Sequence, residues 1–254
     1  MDYAFALDRL ATTDQLLVVS DFDGTLAGFA ADIYAVTPHP DSLAALERLA
    51  RLPRTTVAAL SGRHLAGLKQ VFPFKAPVLL GGSHGAETEG MDNPALADAA
   101  AKIAVIDERL EAVSAQYPGT YIEYKPVHRV FHALELSQRD PDAAARALGT
   151  ALRLEAPGLH VTEGKNVVEF SASTATKGSW IAETRRQLGA TGVVFLGDDA
   201  TDETGFRALD PATDVGVKVG EGDTAAQLRV ADIDAVAAFL TELADRRAGA
   251  VGRS

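Results

Sequence analysis

Two aspartates, Asp21 and Asp23, stand at i and i+2 in Ser20-Asp21-Phe22-Asp23-Gly24-Thr25-Leu26, directly after an apolar run at 15–20. A strand sends alternate side chains to one side, so both carboxylates meet where the strand ends, and Gly24 frees backbone N–H groups beside them. That arrangement suits a hard cation together with an anionic phosphate. Two acids can also divide a covalent reaction. One carboxylate attacks phosphorus to form an aspartyl phosphate; the other protonates the leaving oxygen and then takes a proton from water. A strand-end turn with two solvated aspartates carries the same Asp-Gly signal. A calcium loop does not fit, because one starting at Asp21 needs glycine sixth and Leu26 stands there.

Three further segments supply partners. Ser61-Gly62-Arg63 follows an apolar run at 55–60; Ser61 can hydrogen-bond a phosphoryl oxygen and Arg63 adds charge, although a helix start explains Ser61-Gly62 equally well. Lys177-Gly178 opens a helical pattern. A cation there opposes the helix dipole, so Lys177 either neutralises an ionised or phosphorylated Asp21 or is a solvated surface lysine. Gly197-Asp198-Asp199-Ala200-Thr201-Asp202-Glu203 puts four acids in six positions after the run 193–197. Acids favour helix N-termini, but two acidic strand ends, at Asp21 and Asp198, can also converge on one Mg²⁺ and relieve their repulsion.

These groups need strands that end together. Short β-branched runs alternate with Ala-rich amphipathic segments, the pattern of βα units on a parallel sheet. Strands are expected at 15–20, 55–60, 77–80, 193–197 and 214–219, with helices at 41–51 (capped by Asp41), 177–188, 202–209 and 232–245. The middle differs: a helix over 94–115, strands at 120–125 and 129–136, a helix at 141–154, and strands at 159–163 and 166–170. This predicts an inserted α+β unit over 90–171, with an antiparallel or mixed sheet, between the halves 1–89 and 172–254 of one doubly wound, Rossmann-like α/β domain. By alternation, Glu123 and Lys125 share one face; Glu163, Lys165 and Glu169 share a parity opposite to Val168 and Phe170.

Composition narrows the class. The 254 residues hold 47% apolar residues, no cysteine, and 24 Lys plus Arg against 35 Asp plus Glu, a net charge of −11. That excludes a disulfide framework, a zinc knuckle and a thiol nucleophile, and argues against a nucleic-acid or anionic-membrane binder. No run approaches the roughly 18 apolar residues of a membrane span, and Met1-Asp2-Tyr3-Ala4 lacks a signal-like start. The expectation is a cytoplasmic protein, a monomer, acting on a small molecule.

Taken in order, DFDGTL, SGR, KG and GDDATDE resemble the haloacid-dehalogenase-type phosphatase superfamily. Leu80-Gly81-Gly82-Ser83-His84-Gly85-Ala86-Glu87, Tyr117-Pro118-Gly119 followed by Glu123-x-Lys125, Glu163-Gly164-Lys165-Asn166-Val167-Val168-Glu169 and Phe195–Glu203 are similar to segments of trehalose-6-phosphate phosphatases. The resemblance covers about 16–240. It implies a haloacid-dehalogenase-like core with an inserted cap, and a Mg²⁺-dependent phosphatase completing trehalose synthesis. Asp21 would be nucleophile and Mg²⁺ ligand, and Asp23 acid/base and Mg²⁺ ligand through its backbone carbonyl. Ser61 and Lys177 would hold the phosphoryl group. Asp198 would bind Mg²⁺, with Asp199 or Asp202 ordering its waters. Arg63, His84, Glu123, Lys125 and Glu169 would contact the sugar phosphate. This chain departs from the family in a longer loop at Ala27–Thr37, in His132-Ala133-Leu134, and in Phe170-Ser171-Ala172. A phosphatase for another sugar phosphate, or a phosphomutase, shares the same core residues. A retired metal-binding domain would have lost one of Asp21, Asp23, Lys177 or Asp198, and a dehalogenase needs no acid at Asp23.

Overall fold

The computed structural model describes residues 2–30, 32, 34–74, 76–90 and 94–252. Two positions of the Ala27–Thr37 loop, Ala31 and Ile33, lie outside these. The chain divides into two compact units, Met1–Gly90 with Ala175–Ser254, and Met91–Thr174.

The first unit begins with α1 (Tyr3–Thr12), β1 (Leu16–Ser20), α2 (Pro40–Ala50), β2 (Thr55–Leu60), α3 (Leu65–Val71), β3 (Val78–Gly82) and β4 (Glu87–Thr88). The second holds α4 (Pro94–Ala104), α5 (Asp107–Gln116), β5 (Tyr121–Tyr124), β6 (His128–His132), α6 (Leu134–Arg139), α7 (Pro141–Leu152), β7 (His160–Gly164) and β8 (Val167–Ser171). The first unit resumes with α8 (Lys177–Leu188), β9 (Gly192–Gly197), α9 (Asp202–Ala208), β10 (Val215–Val219), β11 (Leu228–Val230) and α10 (Ile233–Val251).

The seven-stranded sheet runs β11-β10-β9-β1-β2-β3-β4, and only β4 is antiparallel to its neighbour. Ser20 pairs with both Ala59 and Leu196, so β1, β2 and β9 end at one level. The chain leaves β1 toward β2 and returns on the other side at β9, which makes the C-terminal end of β1 a switch point where ligands collect in open sheets. Every residue of β1 is buried, as expected of a sheet covered on both faces. Leu16 and Val18 pack with Leu46, Leu49, Phe239 and Leu240. Leu17 and Val19 pack on the opposite face with Trp180, Ile181 and Phe206.

The second unit is a four-stranded antiparallel sheet in the order β5-β6-β8-β7. Phe131, Val168 and Phe170 bury one face with Ile103, Ile106, Leu110 and Ala147.

Several expectations need correction. The helix expected over 94–115 breaks at 105–106, where Val105-Ile106 is a weak helix-forming pair and Asp107-Glu108 favours a new helix start. Helix α2 is capped by His39, whose Nδ1 accepts from Asp41 N at 3.2 Å, and not by Asp41. Strand β6 stops at His132, opposite Val167, the first residue after the β7–β8 turn, and α6 follows. Glu163 shares a face with Val168, not with Glu169, because the pair Gly164↔Val167 closes a two-residue turn and reverses parity. Helix α10 runs to Val251, held by buried Arg247, which donates to the carbonyls of Ala11, Thr13, Asp14 and Arg54.

Candidate active site

The ends of β1 and β9 bring Asp21 and Asp198 together. Asp21 N extends the ladder to Leu196 O at 2.9 Å, which fixes the side chain at the sheet edge; it is 4% exposed. Gly24, at φ 83°, turns the chain so closely past Asp198 that a Cβ there would lie 2.1 Å from Asp198 Oδ2. Only glycine fits that approach.

Lys177 is the first residue of α8 and 2% exposed. Its Nζ donates to Asp21 Oδ1 at 2.7 Å and to Asp202 Oδ1 at 2.6 Å. Two devices place it. Thr176 and Ser179 form a reciprocal capping box at the helix start. Gly178 lets α8 pack onto α9, since a Cβ would lie 2.2 Å from Thr204 O. The surface-lysine alternative is therefore excluded.

Asp202 is 0% exposed. Its second oxygen accepts from Asp198 N and Asp199 N, both at 2.9 Å. Asp199 Oδ1 accepts from Thr201 N, Thr201 Oγ1 and Asp202 N, and so caps α9. Asp198 Oδ1 accepts from Thr25 Oγ1 at 3.2 Å, and the buried Lys218 ammonium donates to Asp198 O.

Burial and mutual repulsion shape the titration of this cluster. Burial pushes the Asp21 carboxyl well above the usual range, with Lys177 opposing and Asp202 adding to the rise. Burial raises Asp202 to about 6 against the pull of Lys177. Asp198 is raised by burial and then by Asp199. Asp199 is lowered, because its hydrogen bonds to Thr201 and its other partners outweigh burial. Burial alone would discharge Lys177, but the two carboxylates override it and hold its pKa above the usual value.

Asp21, Asp198 and Asp202 each offer a carboxylate oxygen within 4.8 Å of the others. An all-oxygen donor set of ionisable acids, crowded enough to raise its own pKa values, fits a hard divalent cation. Asp202 belongs to this cluster, but both its oxygens are committed to Lys177 and to backbone N–H groups. Asp21 and Asp198 have the freer lone pairs.

The side chain of Asp23 lies outside the cluster. Arg63 grips it with Nε to Oδ2 and Nη2 to Oδ1, both at 2.6 Å. Ser61 Oγ accepts from Arg63 N at 3.1 Å, which leaves its O–H to donate. His84 lies against Gly62, where a Cβ would stand 2.6 Å from its Cε1.

In the second unit, Glu123 and Glu169 lie on the sheet face opposite the core, either side of Val130. Glu123 meets Lys125 Nζ at 3.4 Å and His132 Nε2 at 3.2 Å. Glu169 lies 3.7 Å from His128 Nε2, and Tyr121 stacks on His132 at 4.4 Å. Glu123 is lowered, chiefly by its bond to His132; Glu169 is raised by burial. The sequence gave Tyr121, His128 and His132 no role at the site, although His132 stood out in a departure from the family pattern. The signal for Tyr121 and His132 is their antiparallel pairing, which needs the β5–β6 register.

Comparison with known proteins adds an independent line. Residues 19–234 match the family model described as trehalose-phosphatase. The chain is 33% identical over 235 residues to the trehalose-6-phosphate phosphatase of Escherichia coli (strain K12), covering 87% of this chain and 83% of that protein. Three other curated relatives are longer, and the chain spans only 32% to 62% of them. The C-terminal domain of Candida albicans trehalose-6-phosphate phosphatase superposes with a TM-score of 0.75 at 21% identity, over 96% of this chain and 97% of that one. A haloacid dehalogenase-like hydrolase from Bacteroides thetaiotaomicron shares the fold at a TM-score of 0.60 and 14% identity, over 89% and 98% of the two chains. With a family match over residues 19–234 and a relative 33% identical over most of both chains, the chain belongs to the trehalose-phosphatase family.

Proposed function

We propose that this chain hydrolyses trehalose 6-phosphate to trehalose and phosphate through an aspartyl phosphate on Asp21, with Mg²⁺ as cofactor. The observation that carries the chemistry is the buried Asp21–Lys177–Asp202 array beside Asp198, in a chain of the trehalose-phosphatase family. An Asp21 oxygen attacks phosphorus. As the P–O bond to the sugar breaks, the proton on Asp23 moves to the leaving alkoxide, giving the free sugar. Asp23, now a carboxylate, then takes a proton from water; that water attacks phosphorus and displaces Asp21 as its carboxylate, releasing phosphate. Lys177 and the Ser61 hydroxyl hold the phosphoryl oxygens, and Asp199 and Asp202 orient the cluster around them. Asp21 and Asp198 carboxylates, with the Asp23 backbone carbonyl, would hold Mg²⁺, which supplies positive charge against the phosphoryl oxygens.

Arg63, His84, Glu123, Lys125 and Glu169 are proposed to contact the substrate. The second unit is proposed as the cap that reads the sugar, where the Glu123–Lys125–His132 group offers the mixed donors and acceptors that sugar hydroxyls require. Among the described residues no helix is long and apolar enough to cross a membrane; a cytoplasmic monomer acting on a small molecule, without nucleic-acid or membrane partners, completes the proposal. Phosphate release across a panel of sugar phosphates with Mg²⁺ tests it. Trehalose 6-phosphate is expected to exceed glucose 6-phosphate, which lacks the remote ring. Preference for another sugar phosphate would overturn the substrate while leaving the phosphatase chemistry in place.

A further inference from the structure

Behind the Ser61–Arg63 loop lies a carboxylate that the catalytic scheme does not use. Glu87 opens β4 and is 9% exposed. Its Oε1 accepts from Ser83 Oγ at 2.6 Å and from Leu65 N at 3.3 Å. Leu65 begins α3, and the preceding His64 gives that helix no side-chain cap. Glu87 thus brings an acceptor and a negative charge to the helix start from another element. Ser83 and His84 both have left-handed backbone, with φ of 49° and 56°, a conformation that non-glycine residues hold only when their surroundings impose it.

That pair carries the contacts to the loop. Ser83 N donates to Arg63 O at 2.7 Å and His84 N to Ser61 O at 3.0 Å. The approach is tight: a Cβ on Gly82 would lie 2.5 Å from Leu65 N. Arg63 N donates in turn to Ser61 Oγ, and its guanidinium grips both oxygens of Asp23. Each Asp23 oxygen keeps a lone pair for a proton, while the fork of two bonds sets the plane of the carboxylate.

We propose that Glu87 is a positioning residue for the acid/base step: by fixing Ser83 and the start of α3 it clamps the Arg63 backbone, and through Arg63 it aims Asp23 at the leaving oxygen. This rests on the assignment of Asp23 given under Proposed function. The consequence is selective. A misaimed acid harms a leaving group that needs a proton, the alkoxide of a sugar, and barely affects p-nitrophenolate, which leaves without one.

The test compares kcat/KM for p-nitrophenyl phosphate and for the sugar phosphate that the wild type prefers, with Mg²⁺ present. Glu87→Ala is expected to lower the sugar-phosphate value about 10- to 100-fold and the p-nitrophenyl value less than about threefold. Glu87→Gln keeps an oxygen acceptor for both donors and should recover most of the loss. Ser83→Ala removes one bond of the brace and should show the same selectivity at about 3- to 10-fold, which keeps the test alive if Glu87→Ala does not fold. Equal losses on both substrates, or no loss on either, overturn the inference. Asp23→Asn is the control. If it too fails to discriminate between leaving groups, the acid/base assignment of Asp23 is wrong and this inference falls with it; if it discriminates and the Glu87 and Ser83 variants do not, only the brace is wrong.

Discussion

The two units carry their carboxylates in opposite ways. In the first, Asp21 and Asp202 are buried and share one ammonium, and Asp202 takes two backbone N–H groups as well. In the second, Glu123 and Glu169 are partly exposed on the sheet face away from the core and meet His and Lys at 3.2 to 3.7 Å. Buried charges with several donors are rigid, and leaving one of them with no partner is costly, about 3–5 kcal/mol. Partly exposed pairs contribute little to stability and rearrange at low cost. The first arrangement suits a reacting phosphorus, whose geometry is the same for every substrate. The second suits a sugar surface that differs between substrates.

The sharpest way to break this comparison is Asp21→Asn. Activity should fall at least about 10,000-fold on every phosphate monoester, because covalent catalysis is lost whatever the leaving group. Stability without metal should hold or rise, since the change removes a buried charge and leaves Lys177 paired with Asp202. Thermal melts and phosphate release on the same preparation check both halves. A variant that loses one substrate and keeps another would mean that the first unit also selects.

How much of this was legible in the sequence follows from what each feature depends on. Strand ends that stop at Asp21, Ser61 and Asp198 are set by local runs of Val and Leu, and the start of α8 at Lys177 was visible with them; its capping pair, Thr176 and Ser179, came from the structure. The Arg63–Asp23 grip was not, because it joins residues 40 apart in the chain and nothing local selects Asp23 over water. Nor was the role of Asp202 as partner of Lys177, which depends on the close packing of α8 on α9 at Gly178. On the second sheet, alternation put Glu123 with Lys125 and set Glu169 opposite Val168 and Phe170, but it failed for Glu163 across the turn at 165–166, and that Glu123 and Glu169 share a face needed the β5–β6–β8 register. Parity survives within a strand and is reset by the loop length between strands.

Smaller effects should come from the second unit. Glu123→Ala removes the acceptor that Lys125 and His132 share. It is expected to lower kcat/KM for trehalose 6-phosphate about 10- to 100-fold, the worth of a charge-assisted hydrogen bond of roughly 1.5–3 kcal/mol. Hydrolysis of p-nitrophenyl phosphate should change less than about twofold. Parallel loss on both substrates would erase the distinction between the units.

The raised carboxyls of the first unit predict a pH-dependent metal effect. Asp202, at about 6, and Asp21 and Asp198, both raised, keep protons in the folded state at pH values where the unfolded chain has released them. Between about pH 4 and pH 6 the native state therefore binds more protons, and these groups lower stability as pH rises through their folded values. A divalent cation binds the ionised cluster and opposes that loss. Millimolar Mg²⁺ should raise the melting temperature by several degrees at pH 7.5 and by much less at pH 5, where it competes with protons. Asp198→Asn should abolish the increment. An equal increment at both pH values would place the metal's effect away from this cluster.

The finest test compares two helix caps of similar chemistry. Thr176 Oγ1 accepts from Ser179 N at 3.1 Å at the start of α8, and Asp140 Oδ1 accepts from Ala143 N at 2.8 Å at the start of α7. Replacing either by Ala should cost about 1 kcal/mol, a few degrees in melting temperature. Their effects on chemistry should differ, because the residue after Thr176 is Lys177, whereas the residue after Asp140 is Pro141, in the unit that contains neither Asp21 nor Lys177. Thr176→Ala frays the turn that aims the ammonium, so kcat should fall about two- to fivefold for sugar phosphate and p-nitrophenyl phosphate alike. Asp140→Ala should leave kcat for p-nitrophenyl phosphate within about 20% while lowering stability as much. If both caps alter kcat equally, turnover follows global stability and the rigid first unit has no special claim on it. If only Thr176→Ala does so, the start of α8 is where folding energy is converted into the placement of Lys177.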